Sequence, residues 1–578
     1  MKKYLIIFIE LIMICTLRVN AMANELLTEP ILAIPTYTSV TVEWYTESEG
    51  ADNKVLLYEN GVHNGVTREI KASTYKLSRI RGGITEATCN DATKKRDVYK
   101  HRAVVRDIPE YTGKSNQRVP YRVISDDANS KVYTLTAKPQ QGSDIKLLLT
   151  SDLQIKNMCA ANMQKVEETV GMVDAVIING DCVDVTDRAY DWFYSDNAFY
   201  KVLQGTASHK VNSVKYTGGE LIQYAPMYTS IGNHDVMGVY SDSQDLSVQF
   251  NNPKPREYAR ELLDKKKAAG NGPENEADFI ENQSYNTITY EEMFDLPRSQ
   301  AGGKKYYATT IGDVRLIVLD ASRVWRLPQL GVNGKYSEIP GASRDQYGFG
   351  DFIFEDIDGD SDQIKFLEAE VKKPEFINAK YKMVMFHFQY HSLGGNQIPA
   401  FTNPVASTVK DPVTGKDMVI YDYPIDDDYI DKYVAPILED SGVDFVYTAH
   451  SHVWNRFMTE SGMNILESSN VGNTYNCYLG DDKRTDYPSA LKKGDRYSTI
   501  ADKFSANNYV LSGDPYGLTP VTPSEGLLPD NKPYLASNTI TAFSVLDTGK
   551  GTIDSYYFDT ARPDSEVVLF DSFDIKRQ

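Results

Sequence analysis

Five short segments of the chain hold the residues best able to do chemistry, and each follows an apolar run. In order they are Asp152-Leu153-Gln154, Gly180-Asp181-Cys182-Val183-Asp184, Gly232-Asn233-His234-Asp235, His387 with His391, and Ala449-His450-Ser451-His452. Five of the eight histidines fall inside three of these segments. Carboxylate, carboxamide and imidazole are the donors that hold hard and borderline cations, and one carboxylate can bridge two of them. A cation pair clamps the attacking and leaving oxygens of an in-line displacement, so the pattern points to metal-dependent hydrolysis.

Bringing these residues together requires strands whose ends converge. Ile145–Thr150, Ala175–Ile178, Val314–Leu319, Met383–Phe386 and Phe445–Tyr447 are near-continuous apolar runs, suited to strands buried on both faces. Helical stretches at Ala161–Val170 and Asp362–Lys372 alternate with them, which predicts an α/β layered domain. Ligands bind outside the carboxyl ends of strands in such sheets, where the five segments fall. In the tail, Ile540–Leu546 and Asp554–Phe558 read as closing strands of the same domain. Upstream, Glu25–Lys138 reads as all-β. Thr38–Tyr45 alternates with period two, placing Val40, Val42 and Trp44 on one face. Lys54–Tyr58, Tyr121–Val123 and Val132–Leu135 continue a series of short strands, the pattern of a small β-sandwich. Pro139–Ser143 is then a linker. The polar stretches Asn251–Gln283 and Thr402–Lys416 read as a surface helix and loops.

The chain has 578 residues, enough for more than one domain with a large core. Its net charge of -19 speaks against a nucleic-acid-binding surface. Lys2 and Lys3, the apolar run Tyr4–Leu17 and small residues at Ala21 and Ala23 make an export signal, which places the protein outside the cell or in a periplasm. The run is short for a membrane span; an uncleaved anchor, or a lipoprotein site at Cys15, is the alternative. No other segment has the composition to span a membrane. Cys89, Cys159, Cys182 and Cys477 are too few for a disulfide scaffold and match no zinc spacing, so they read as small buried residues.

The five segments, taken in order, resemble the motifs of the calcineurin-like metallophosphoesterases. The preceding β-sandwich, joined directly to the first motif strand, resembles the fibronectin type III-like domain of purple acid phosphatases. The resemblance implies a four-layer α-β-β-α sandwich over 144–578, after a fibronectin type III-like domain over 24–140 and a signal peptide over 1–23. It implies two divalent or trivalent metal ions (Mn, Zn or Fe), bridged by Asp181. Asp152, Gln154 and His452 would hold the first, and Asn233, His387 and His450 the second. His234 would lie over the site as general acid or as stabiliser of the transferring phosphate, its ring oriented by Asp235 or Asp184. The implied activity is hydrolysis of small-molecule phosphate monoesters by water activated between the cations. A phosphodiesterase or nucleotidase sharing the same core, and a catalytically silent surface binding protein, are the alternatives. Gln154 stands where the family usually has His, which favours a harder ion such as manganese, and Ala449 stands where it has Gly. Asp184 stands where purple acid phosphatases have Tyr, so their iron–tyrosinate chemistry is not implied.

Other residues carry two readings at this stage. His387 on its own reads as a polar core residue, and only the five-segment set makes it a ligand. His391 either faces substrate or supports the site, or is a surface residue. Arg456 is a structural ion pair or a phosphate contact. The aromatics between Tyr190 and Tyr200 pack a helix or stack a nucleobase. Asp356–Asp362 resembles a calcium loop, but Gly359 is out of place and Leu367 stands where the loop needs Glu, so it reads as a solvated turn before a helix. His63, His101 and His209 read as structural, and Gly180 and Gly232 as tight turns beside the metals.

Overall fold

The computed structural model describes residues 25–112, 118–324, 337–338, 352–394, 400–403, 405–410, 415–422, 424–483, 512–524, 528 and 531–577. The segment read as an export signal lies outside them. No helix of the described residues is long and apolar enough to cross a membrane.

The N-terminal region is all-β. Ile31–Ala33, Ser39–Thr46, Tyr99–Arg106 and Ser73–Lys76 form one antiparallel sheet. Arg68–Lys71, Asn53–Leu57, Val119–Ser125 and Ala128–Asn129 form the other, with Tyr133–Leu135 beside it. Val40, Val42 and Trp44 from the first sheet pack against Val55, Leu57, Tyr121 and Val123 from the second. The buried Trp44 indole N–H donates to Ser125 Oγ at 2.8 Å, so no donor is lost on burial. Strand Tyr99–Arg106 escaped the sequence reading because its Lys100 and His101 look solvent-facing. Both are buried and paired: Lys100 lies 3.1 Å from Glu43 and 3.2 Å from Asp295, and His101 Nε2 lies 2.7 Å from Thr46 Oγ1.

The larger region is mixed α/β. One six-stranded sheet runs Met227–Thr229, Ala175–Ile178, Lys146–Thr150, Ile540–Asp547, Thr552–Asp559, Val568–Asp574. Its first three strands are parallel, and the tail closes the sheet with strands that prove antiparallel. A seven-stranded sheet runs Tyr307–Ile311, Val314–Val318, Tyr381–Met385, Phe445–Thr448, Asn464–Ser468, Trp454–Met458, Tyr534–Leu535, with four parallel strands at its centre. Alternation along these central strands separates two cores. Leu316, Val318, Met383 and Met385 pack in one core with Leu147, Leu149 and Ile177 of the other sheet. Ile317, Val384 and Val446 face Ile364 and Leu367 of helix Asp362–Glu370 and Leu438 of helix Ala435–Asp440. Helix Cys159–Val170 packs Met163 and Val166 against the six-stranded sheet. The layers are helix, sheet, sheet, helix.

Of the two polar stretches, one departs from expectation and the other holds the expected surface helix with a second beside it. Within 402–416 a strand, Val405–Lys410, pairs antiparallel with Asp417–Asp422, and Ser337–Glu338 extends the pair. Ser407 and Thr408, side by side, break the period-two pattern that marks a half-buried strand in sequence. Asn251–Gln283 holds two longer helices, Arg256–Ala268 and Glu276–Asn282, and Asn275 caps the second by accepting from Ala277 N and Asp278 N. The remaining alternatives resolve toward packing. Trp192 and Phe199 lie 5.2 Å apart and Phe193 and Tyr200 5.6 Å apart, all four buried. Ser361 caps its helix by accepting from Ile364 N at 3.2 Å, so Asp356–Asp362 is a capping turn. All four cysteines of the described residues are buried free thiols.

The two regions are sewn together. Arg81, from the segment between Ser73–Lys76 and Tyr99–Arg106, donates its backbone N–H to Asp187 O and accepts from Ala189 N, both at 2.9 Å. Its guanidinium donates to Ser241 O at 2.8 Å and to Gln249 Oε1 at 3.0 Å. Tyr45 Oη donates to Met293 O at 2.6 Å, and Tyr121 Oη to Gln223 O at 2.7 Å.

Arg456 joins the two large sheets. From strand Trp454–Met458 it donates to both carboxylate oxygens of Asp571, in strand Val568–Asp574, at 2.8 and 3.3 Å. It is therefore the structural ion pair and not the phosphate contact. Arg456→Met strands a buried carboxylate, and urea unfolding should show a loss of about 3–5 kcal/mol with metal content unchanged.

Candidate metal centre

Each motif begins where a parallel strand stops. Asp152 follows Lys146–Thr150, Asp181 follows Ala175–Ile178, and Asn233 follows Met227–Thr229, all in the six-stranded sheet. His387 follows Tyr381–Met385 and His450 follows Phe445–Thr448 in the other sheet. The sheets are pinned together at this edge by Asn179. Its Nδ2 donates to Phe386 O at 2.9 Å and Tyr447 O at 2.8 Å. Its carbonyl accepts from His387 Nδ1 at 2.7 Å, and its Oδ1 accepts from Ser230 Oγ at 2.7 Å.

The backbone at the motifs is strained in a consistent way. Asp152, Gln154, Asp181, His450 and His452 have φ of +54°, +37°, +53°, +82° and +56°. Non-glycine residues rarely adopt this region, and surrounding structure must hold them there. The turn swings each side chain back toward the sheet edge. The two glycines serve close approach, as predicted. A Cβ on Gly180 would lie 2.6 Å from Gly232 N and 2.8 Å from His387 Nδ1, and one on Gly232 would overlap the Asp181 carboxylate.

Two donor clusters result. Asp181, His387 and His450 bring ligand atoms within 4.8 Å of one another, and so do Asp152, Asp181 and His452. Asp181 belongs to both. Gln154 joins through Asp181, since its Nε2 donates to Asp181 Oδ2 at 2.5 Å. That leaves Gln154 Oε1 buried without a hydrogen bond among the described residues. Neither Oδ1 nor Nδ2 of the buried Asn233 is hydrogen-bonded there, nor is His387 Nε2, which faces Asp181 Oδ2 across 3.4 Å. Unsatisfied buried polar atoms cost free energy unless a partner arrives. These free donors, lying beside the two clusters, fit cations. The outer bonds set the tautomers: His387 Nδ1 bonds Asn179 O, and His452 Nδ1 bonds Asn473 O at 2.9 Å, so Nε2 of each is the atom presented inward.

The electrostatics show how closely the charges of these residues are coupled. Burial alone would raise the Asp181 carboxyl; His387, then His234 and His450, pull it well below the usual range. Burial would lower His387, and Asp181 drives it up to about 10. Asp235 is pushed up to about 7 by burial and then by Asp181.

Asp235 does not orient the His234 ring, as the sequence suggested. Its Oδ2 accepts from Asp181 N and Gly232 N, each at 2.8 Å, and its Oδ1 from Cys182 N at 3.2 Å. It clamps the second motif to the third. The 3-10 turn Asn233–Asp235 sends consecutive side chains in different directions, so adjacency to His234 was misleading. The ring is held by Asp184, whose carbonyl lies 2.7 Å and whose carboxylate 3.6 Å from His234 Nδ1. Arg188 Nη2 steadies that carboxylate at 2.9 Å. His391 is buried, with Nδ1 2.8 Å from Asp514 Oδ2, so it is not a surface residue.

Sequence reasoning missed Asn179 and Glu467. Asn179 was visible as the polar residue closing an apolar run ahead of Gly180. Glu467 is a lone carboxylate in the buried strand Asn464–Ser468. Burial pushes it up to about 8, and it accepts from Ser451 N at 2.8 Å and Ser392 Oγ at 2.7 Å. It thereby fixes the loop between His450 and His452.

A family model, calcineurin-like phosphoesterase, matches residues 145–454. The chain belongs to that family. All five motif segments fall within the matched span of this calcineurin-like phosphoesterase. Comparison with curated proteins finds no match. Among solved structures, purple acid phosphatase PPD1 from yellow lupin (Lupinus luteus) seeds is similar over 94% of this chain and 73% of its own, with 13% identity and a TM-score of 0.48. A structure of PhoD is similar over 95% of this chain and 90% of its own, with 12% identity and a TM-score of 0.43. GAP50, an inner membrane complex anchor of Plasmodium, is similar over 74% and 89%, with 10% identity and a TM-score of 0.31.

Gly232→Ala drives a methyl group to 2.2 Å from Asp181 Oδ1 and 2.4 Å from Asp181 N. With circular dichroism confirming the folded state, elemental analysis should find the variant depleted of metal; full metal content in folded protein would count against Asp181 as a ligand.

Proposed function

We propose that this calcineurin-like phosphoesterase is an exported phosphatase that hydrolyses small phosphate monoesters at a dinuclear metal centre. The observation that carries the reading is that one buried carboxylate, Asp181, belongs to both donor clusters. Asp152, Gln154 and His452 would hold one cation, and Asn233, His387 and His450 the other, with Asp181 between them. The amide oxygen of Gln154 in place of an imidazole favours manganese over zinc or iron at the first position. Bound there, the pair would supply Lewis-acid activation of water and a clamp for the phosphoryl oxygens. In this reading the chain has a leader over 1–23, a fibronectin type III-like domain over 24–140 and a catalytic domain over 144–578.

The protein's own residues do the rest. His234 donates its backbone N–H to Asp181 Oδ1 at 2.7 Å, which holds the bridging carboxylate without using the ring. The ring is tethered through Nδ1, so Nε2 would be the atom that meets a leaving oxygen, and Asp184 offers a counter-charge when the ring carries a proton. A positioned general acid of this kind contributes roughly 10²–10⁴ in rate.

Two substitutions test the assignment. Asp181→Asn should lose both metals and all turnover of p-nitrophenyl phosphate, and retained metal by elemental analysis would refute the bridging role. His234→Ala keeps the backbone bond, so both metals should stay while kcat falls by about 10²–10⁴. Running bis-p-nitrophenyl phosphate in parallel separates monoester from diester hydrolysis.

A further inference from the structure

The candidate ligands are buried in the protein, and the described residues around them differ in exposure. Asp152 and His387 are fully buried, whereas the side chains of His234 and Asp184 are 17% and 38% exposed. Tyr475 is 37% exposed. It belongs to the segment after strand Asn464–Ser468, which crosses the centre from the first motif to the fourth. At one end Val471 O accepts from Met158 N at 3.2 Å, and at the other Tyr478 N donates to Leu393 O at 3.0 Å. Between them Asn473 O accepts from His452 Nδ1 at 2.9 Å. Positive φ at Gly472, Asn473 and Asn476 (+120°, +54° and +66°) arches the chain over His452. The Tyr475 ring rests there, 5.0 Å from the imidazole centroid and tilted by 56°.

The Tyr475 ring thus rests on a member of the donor cluster that also holds Asp152 and Asp181, and the side chain is partly open to water. After burial, the groups that push its hydroxyl up to about 12 are Asp181, Asp152 and Asp184. A tyrosine hydroxyl is a neutral O–H donor. An O–H in that place offers a directed hydrogen bond to an anionic oxygen.

We propose that Tyr475 is a substrate-contacting residue of this centre, its hydroxyl donating to a phosphoryl oxygen and its ring walling the site on the His452 side. The proposal rests on the phosphoesterase reading above. The test is titration calorimetry of inorganic phosphate into manganese-loaded parent protein, Tyr475→Phe and Tyr475→Ala, with metal content measured on the same samples. Phe removes one oxygen from a partly exposed side chain, so folding should be retained, and thermal unfolding checks this. Tyr475→Phe should keep its metal and bind phosphate about ten- to a hundredfold more weakly, the range for a hydrogen bond to a charged partner. Tyr475→Ala should bind no more tightly than Phe. Unchanged phosphate affinity in Tyr475→Phe, beside a parent that binds phosphate, overturns the role of Tyr475 and leaves the phosphoesterase reading standing. Loss of metal from Tyr475→Phe overturns it too, because the residue would then be a ligand. A fully metal-loaded parent that neither binds phosphate nor hydrolyses an ester overturns both.

Discussion

The Asn179 side chain donates to Phe386 O and Tyr447 O, carbonyls at the ends of two strands in the opposite sheet, while its own carbonyl holds His387 Nδ1. Three of the five motif loops hang from one sheet and two from the other. Nothing else in the centre can form unless the two sheets meet in one register at this edge. A carboxamide suits the task because it offers donors and an acceptor at once and carries no charge into the dry interior. Shifting either sheet by one residue would turn every inward side chain outward.

Around that pin the protein gathers four buried carboxylates. Asp152 and Asp181 are buried within one donor cluster, Asp235 is pushed up toward neutrality behind them, and Glu467 is pushed up beside the His450–His452 loop. Backbone amides absorb part of this charge: three donate to Asp235, and His234 N and His450 N donate to Asp181 and Asp152. In the proposed reading, cations would take up the charge of Asp152 and Asp181. The left-handed backbone at five candidate ligand positions and the side chain of Asn233, without a hydrogen bond among the described residues, express the same tension.

Much of this was readable because it rests on short-range pattern. Apolar runs without alternation gave strands buried on both faces, and Ala175–Ile178 lies where it was expected, with the other core strands within a few residues. The glycines at 180 and 232 announced close approach. What was not readable depended on partners far along the chain. Lys100 and His101 made a buried strand look exposed, since only Glu43, Asp295 and Thr46 show that their polar groups are satisfied. Asp235 was assigned to the ring next to it, but its amide partners at 181 and 182 lie on another loop. Tyr475 carries no motif at all; its place follows from the arch of chain above His452.

The stitching at Arg81 has a consequence for how the molecule presents itself. The backbone of this residue, which belongs to the N-terminal sandwich, is paired with Asp187 and Ala189, just beyond the loop that carries Asp184. Its guanidinium reaches the chain beyond Asp235. The sandwich is thus no bead on a flexible string. Any surface against which it comes to rest would see the opening of the centre at one constant angle, with reach and orientation decided by the fold and not by tumbling.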